Sequence, residues 1–142
     1  MMEERIKLAL DRHKSGCNCA QAVLCAYRDM FGLDEDTAYR ISEAFGRGNG
    51  DRNGICGAVS GALMVAGLYA SEGPDVKSNK SNTYDIAARI TSRFEEMNGT
   101  LICRELKGIE TGKPLRSCLG CIEDAAAIVG EIISEAEGES NK

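Results

Sequence analysis

Seven cysteines and one histidine stand in a chain of 142 residues, and the thiols are the groups through which this sequence could do chemistry. They are Cys17, Cys19, Cys25, Cys56, Cys103, Cys118 and Cys121. Thiolates serve as nucleophiles, as redox couples and as soft metal ligands. The count is odd, and the chain opens on the charged, periodic Met1-Met2-Glu3-Glu4-Arg5-Ile6-Lys7-Leu8 without an apolar leader. Both features argue against a secreted disulfide scaffold, so a cytoplasmic location is expected. Metal ligation, redox chemistry and simple burial of small apolar side chains remain open. With His13 the only histidine, Cys/His zinc sites and histidine-assisted nucleophiles have almost nothing to draw on.

Cys56 has the most suggestive setting. It stands where a glycine-rich loop, Gly46-Arg47-Gly48-Asn49-Gly50-Asp51-Arg52-Asn53-Gly54, opens into an uncharged run from Cys56 to Tyr69. The run is apolar on nearly every side, so it reads as a buried central helix. It is also too short for the roughly 20 residues a membrane span needs. Cys56 then lies at or near a helix start, where unpaired N–H groups and the helix dipole favour a thiolate. Gly57, Gly61 and the neighbouring alanines give that helix a small-residue face, open to close approach by other backbones or a compact cofactor.

The other elements follow from periodicity and caps. Glu3 to His13 spaces Ile6, Ala9 and Leu10 as an amphipathic helix. Asn18 and Gln21 have capping-box spacing, opening a helix to about Phe31 with Val23, Leu24, Tyr27, Met30 and Phe31 on one face. Gly32 stops it, and Asp34 caps a third helix carrying Ala38, Ile41, Ala44 and Phe45. Glu72 to Asp75 reads as a turn and Val76 to Asn82 as a polar stretch. A helix from about Asn82 to Met97 sets Ile86, Ile90, Phe94 and Met97 in a stripe, ended by Asn98-Gly99. Thr100 to Leu106 reads as an extended approach into a helical turn near Cys103, and Gly108 to Arg116 as loop. Ser117 caps a last helix with Cys118, Cys121, Ile122, Ala125, Ile128, Val129 and Ile132 inward, and residues 138–142 form a frayed tail. The expected fold is all-α: one domain over 1–142, five to six helices around a buried central helix.

Cys19, Cys56, Cys103 and Cys118 each fall at or just inside a predicted helix start. Four helix starts converging on one point would present N–H groups and positive dipole ends to thiolates or to the sulfurs of an anionic cluster. Arg47, Arg52, Arg104 and Arg116 lie near three of these cysteines in sequence and would add positive potential. Cys25, in mid-helix, reads as packing, and Cys17 precedes a cap.

Other functions are disfavoured. A net charge of −5, no Trp and only four Tyr and three Phe argue against nucleic-acid binding. The glycine loop follows no strand and ends in no Gly-Lys-Ser/Thr, so it is a poor phosphate loop. Cys118-Leu119-Gly120-Cys121 has thioredoxin-like spacing without the βαβ context.

Four segments carry a resemblance. Asn18-Cys19-Ala20-Gln21-Ala22-Val23-Leu24, Gly54-Ile55-Cys56-Gly57-Ala58-Val59-Ser60-Gly61-Ala62, Cys103-Arg104-Glu105-Leu106, and Cys118 ahead of Asp124-Ala125 resemble the C_GCAxxG_C_C family, described as redox-active. The similarity spans almost the whole chain. It implies that the four family cysteines are Cys19, Cys56, Cys103 and Cys118, and a similar domain of split-Soret cytochrome c implies an iron–sulfur centre. Where family members usually have aromatic residues, this chain has Cys17 and Cys121, either of which is a possible substitute ligand.

The leading expectation is a small redox protein holding an iron–sulfur cluster, most simply [2Fe–2S], on Cys19, Cys56, Cys103 and Cys118 and passing electrons to a partner protein. The first alternative binds no metal: Cys56 attacks, and Cys118, Cys103 or Cys19 resolves the mixed disulfide. The second is a structural zinc site, for which only Cys118 and Cys121 have knuckle spacing. No substrate-pocket residues stand out, so a carrier or sensor is expected before an enzyme. A homodimer is compatible with the small-residue helix; membrane insertion is not expected.

Overall fold

In the computed structural model, residues 2–75 and 79–140 are described, and among them the fold is all-α, with no strand. The helices are α1 (Met2–Lys14), α2 (Cys19–Tyr27), α3 (Glu35–Glu43), α4 (Gly46–Asn49), α5 (Gly57–Ala70), α6 (Ser81–Asn98), α7 (Cys103–Lys107) and α8 (Cys118–Ser140). A 3₁₀ turn, Arg28–Phe31, continues α2 to Gly32, which takes the left-handed conformation that ends it. The helices exceed the expected number because α7 is the single turn expected near Cys103 and α4 is a left-handed turn within the glycine loop, with Arg47 at φ 56° and Gly48 at φ 57°. None is long and apolar enough to cross a membrane among the described residues.

Local signals place most of the starts. Asn18 accepts from the Gln21 N–H while the Gln21 side chain accepts from the Asn18 N–H, the reciprocal box that satisfies two free donors. Asp34 Oδ2 accepts from the Thr37 N–H at 2.9 Å, and Ser117 Oγ from the Gly120 N–H at 3.0 Å. Gly99, at φ 85°, closes α6.

The core has two buried helices where one was expected. Helix α5 lies between α2, α6 and α8, and α2 between α1, α3, α5 and α8. Every residue of α2 from Ala20 to Tyr27 is buried, so it has no solvent face. Its one strongly polar side chain, Gln21, is satisfied by its part in the cap and by donating to the Tyr39 carbonyl. The contact between α2 and α5 depends on glycine: a Cβ on Gly61 would stand 2.7 Å from the Ala20 carbonyl oxygen, and one on Gly57 3.2 Å from the Ala20 nitrogen.

Several apolar residues face solvent instead of the core. Met30, Ile41, Ala44, Phe45 and Met97 are exposed. Helix α3 meets α2 through the small side chains of Ala38 and Ser42, which leaves no room on that face for Ile41 or Phe45. At the end of α6 the inward position goes to Asn98, four residues after Phe94, and its amide donates to Asp124. The expected tail is helical from Gly138 to Ser140, and Asn141 and Lys142 lie outside the described residues, as do Val76, Lys77 and Ser78 of the polar stretch.

Candidate functional site

All four of the cysteines expected at helix starts lie at helix starts in the structure. Cys19 and Cys118 are the first residues of α2 and α8, Cys103 is the first of α7, and Cys56 is the N-cap of α5. Backbone bonds tie two of these starts together. The Cys56 N–H donates to the Leu101 carbonyl at 2.7 Å and the Cys103 N–H to the Gly54 carbonyl at 3.0 Å, around an antiparallel bridge between Ile55 and Ile102. The Arg104 N–H adds a bond to the Arg52 carbonyl at 2.9 Å. The glycine loop is thereby clamped onto the segment that carries Cys103. Gly48 lies so close to it that a Cβ there would stand 2.5 Å from the Cys103 Cβ.

Together these starts wall one cavity of about 160 Å³. Cys19, Cys56, Cys103, Cys118 and also Cys121 line it, with Lys107, Arg47, Arg52, Asn18, His13, Gly57 and Leu106. No Asp or Glu is among these lining residues. All seven cysteines are free thiols. Cys56, Cys103 and Cys121 are buried, Cys19 and Cys118 half-buried.

The thiols are electrostatically unequal. Hydrogen bonding with the neighbouring Cys121 thiol is the largest influence bringing Cys56 down to about 7. Burial opposes the shift; the Ala58 and Val59 N–H groups at the start of α5 and the charge of Lys107 assist it. Cys121 is driven the other way, by that same bond and by burial. Cys19 is pushed up to about 11, mainly by burial and then by the neighbouring Cys56. Burial, followed by Cys56, also raises Cys103. A helix start is thus insufficient by itself: once one thiolate forms, a buried neighbour is discouraged from ionising.

A family model described as "Putative redox-active protein (C_GCAxxG_C_C)" matches residues 17–132. The chain belongs to this family. Neither the curated proteins nor the solved structures give a match.

In this family member the four cysteines named by resemblance reach one cavity, and Cys121 joins them. Cys17 does not: it lies with Cys25 beside the Arg12 guanidinium, and burial raises both thiols. Of the arginines expected to supply positive potential, Arg47 and Arg52 line the cavity, whereas Arg104 turns to Glu110 and Arg116 to Asp124. The cation nearest the thiols is one that sequence reading missed. Lys107 donates to the Cys118 sulfur, and its charge assists the fall of Cys56 and opposes the rise of Cys19, Cys103 and Cys121. Its position four residues after Cys103 on α7, hence on the same helix face, is the signal that points to it.

Proposed function

We propose that this chain is a dithiol redox protein in which Cys56 is the attacking thiolate and Cys121 the resolving thiol. The placing of Cys56 at the start of α5, with Cys121 and Lys107 beside it in one cavity, carries this reading. The Cys56 thiolate attacks one sulfur of a substrate disulfide; that S–S bond breaks, a mixed disulfide forms, and the second substrate sulfur leaves as a thiolate. Cys121 then loses its proton to solvent and attacks the Cys56 sulfur, forming a Cys56–Cys121 disulfide and releasing the first substrate thiolate. Two protein thiols are oxidised and one substrate disulfide is reduced. A dithiol reductant, on a partner protein or a small molecule, restores the starting state. Such a cycle fits a reducing compartment such as the cytoplasm.

The test is alkylation and oxidation of the reduced, metal-free protein with peptide mapping. Iodoacetamide at pH 6 is expected to label Cys56 first, and a stoichiometric disulfide to yield the Cys56–Cys121 bond. In Cys121→Ser the mixed disulfide at Cys56 should persist. Labelling spread evenly over the cysteines, with no Cys56–Cys121 disulfide, would sink the proposal.

Convergence of five thiols on one cavity supports a second reading, in which Cys19, Cys56, Cys103 and Cys118 hold an iron–sulfur cluster, most simply [2Fe–2S]. The donor set fits: thiols at helix starts with a lysine at hand. When bound, the cluster would supply one-electron transfer. Among the described residues no three His, Cys, Asp or Glu side chains are arranged to hold a single ion. Sulfurs ringing a cavity in this way suit a multi-atom cluster better than one zinc. Anaerobic reconstitution with iron and sulfide, read by visible spectrum and by iron and sulfide content, separates the two. A stoichiometric cluster lost on Cys103→Ala or Cys19→Ala favours the cluster; a colourless product favours the dithiol cycle.

A further inference from the structure

We infer that the disulfide reduced at this site belongs to a small anionic compound, one bearing a carboxylate or similar group close to its S–S bond. This rests on the dithiol reading above and assigns its substrate class. Lys107, Arg47 and Arg52 line the cavity, and no acidic side chain lines it. The two arginines are unlike the rest. Arg5, Arg12, Arg40, Arg89, Arg93, Arg104 and Arg116 each hold a carboxylate, and Arg28 the Leu33 carbonyl. Among the described residues, the Arg47 and Arg52 guanidinium groups have no such partner. In a chain of net charge −5, acidic side chains are plentiful, so two unpaired guanidinium groups beside a thiol cavity mark a place left for an external anion.

The backbone points the same way. Only three non-glycine residues have positive φ among those described: Arg47 at 56°, Asn49 at 64° and Arg52 at 67°. All lie in the glycine loop. This conformation is unfavourable for a long side chain, and such outliers gather at ligand clamps. Here it turns the loop through bonds from the Arg52 N–H to the Arg47 carbonyl at 2.7 Å and from the Gly54 N–H to the Gly48 carbonyl at 2.9 Å. Both arginines are thus set at the cavity. At about 160 Å³ the cavity is below the range of roughly 300 Å³ and upward typical of drug-sized ligands, which fits a low-molecular-weight disulfide.

The experiment follows the rate of mixed-disulfide formation at Cys56, by mass spectrometry on the Cys121→Ser protein, with three disulfides. These are dithiodiglycolate (anionic), hydroxyethyl disulfide (neutral) and cystamine (cationic). At low salt the anion should react faster than the neutral compound by about tenfold or more after correction for their intrinsic reactivity, and cystamine slowest. Added salt should shrink the preference. In the Arg47→Gln/Arg52→Gln variant the anion-to-neutral ratio should fall towards one; a merely structural loss would slow both compounds together. Equal rates at Cys56 for all three disulfides, or a ratio unchanged by the double substitution, would overturn this inference alone. Failure of Cys56 to react with any of them would overturn the dithiol reading beneath it.

Discussion

Removal of the Cys121 thiol should slow capture of Cys56 at mildly acidic pH, and the size of the effect follows from the site. Cys56 is brought from an ordinary 9.0 to about 7, with the Cys121 hydrogen bond the largest cause and burial opposing it. Cys121→Ala removes that bond and keeps the burial, so the midpoint should climb back towards 9.0. Such a rise lowers the thiolate fraction at pH 6 by about 90-fold. The more basic thiolate is intrinsically a better nucleophile, which returns a factor of about 6 to 10 for a Brønsted slope near 0.4–0.5. The net expectation is alkylation about tenfold slower at pH 6, with the two profiles crossing at about pH 8 and the variant about 6- to 10-fold faster above the higher midpoint. The assay is the rate of iodoacetamide capture at Cys56 from pH 5.5 to about 9.5 in reduced, metal-free protein, with circular dichroism to confirm that the variant is folded. Identical midpoints in the two proteins, or a native midpoint near 9, would refute the assigned role of Cys121.

Other expectations concern stability. Because folding lowers Cys56, its ionisation should stabilise the reduced protein fully above about pH 9 and not at all below about 7; urea midpoints should therefore rise across that window more in the native chain than in Cys56→Ser. Cys19, raised to about 11, acts in the opposite sense, withdrawing stability as pH climbs from about 9 towards 11, and Cys19→Ser should soften that alkaline loss. Gly61→Ala should cost about 1–3 kcal/mol in denaturant unfolding, since its Cβ would meet the Ala20 carbonyl oxygen at 2.7 Å. Gly67→Ala, with nothing within 4 Å, should instead gain up to about 1 kcal/mol from helix propensity. Phe94→Ala should cost about 3–5 kcal/mol, because Phe94 is fully buried in the core.

Much of the site was legible because caps and helix-ending glycines are local. Asn18 with Gln21, Asp34 and Ser117 place helix starts within a few residues, so Cys19 and Cys118 were put at the correct ends before any tertiary contact was known. What escaped depends on rotation and pairing between helices. On α8, Cys118 and Cys121 lie three residues apart on nearly one face, and only the docking of α8 against α5 decides that Cys121 is the one coupled to Cys56. Arg104 and Arg52 were equivalent in sequence, but Glu110 takes the first, leaving the second for the cavity. The burial of α2 was hidden because its polar exception, Gln21, looks like a solvent-facing residue until its cap is complete. Ile41 and Phe45 misled for the converse reason: their apolarity outranks that of Ala38 and Ser42, yet a close helix contact admits the smaller pair.

The docking of α8 has a bearing on how the protein comes into being. Cys56 enters the growing chain well before Cys121, which is carried by the last of the described helices. Until that helix settles against α1, α2, α5 and α6, a newly synthesised chain has one member of the couple without the other. On the dithiol reading, the full acidity of Cys56 would therefore await the docking of α8, and a chain cut short before α8 should show a less acidic Cys56 thiol.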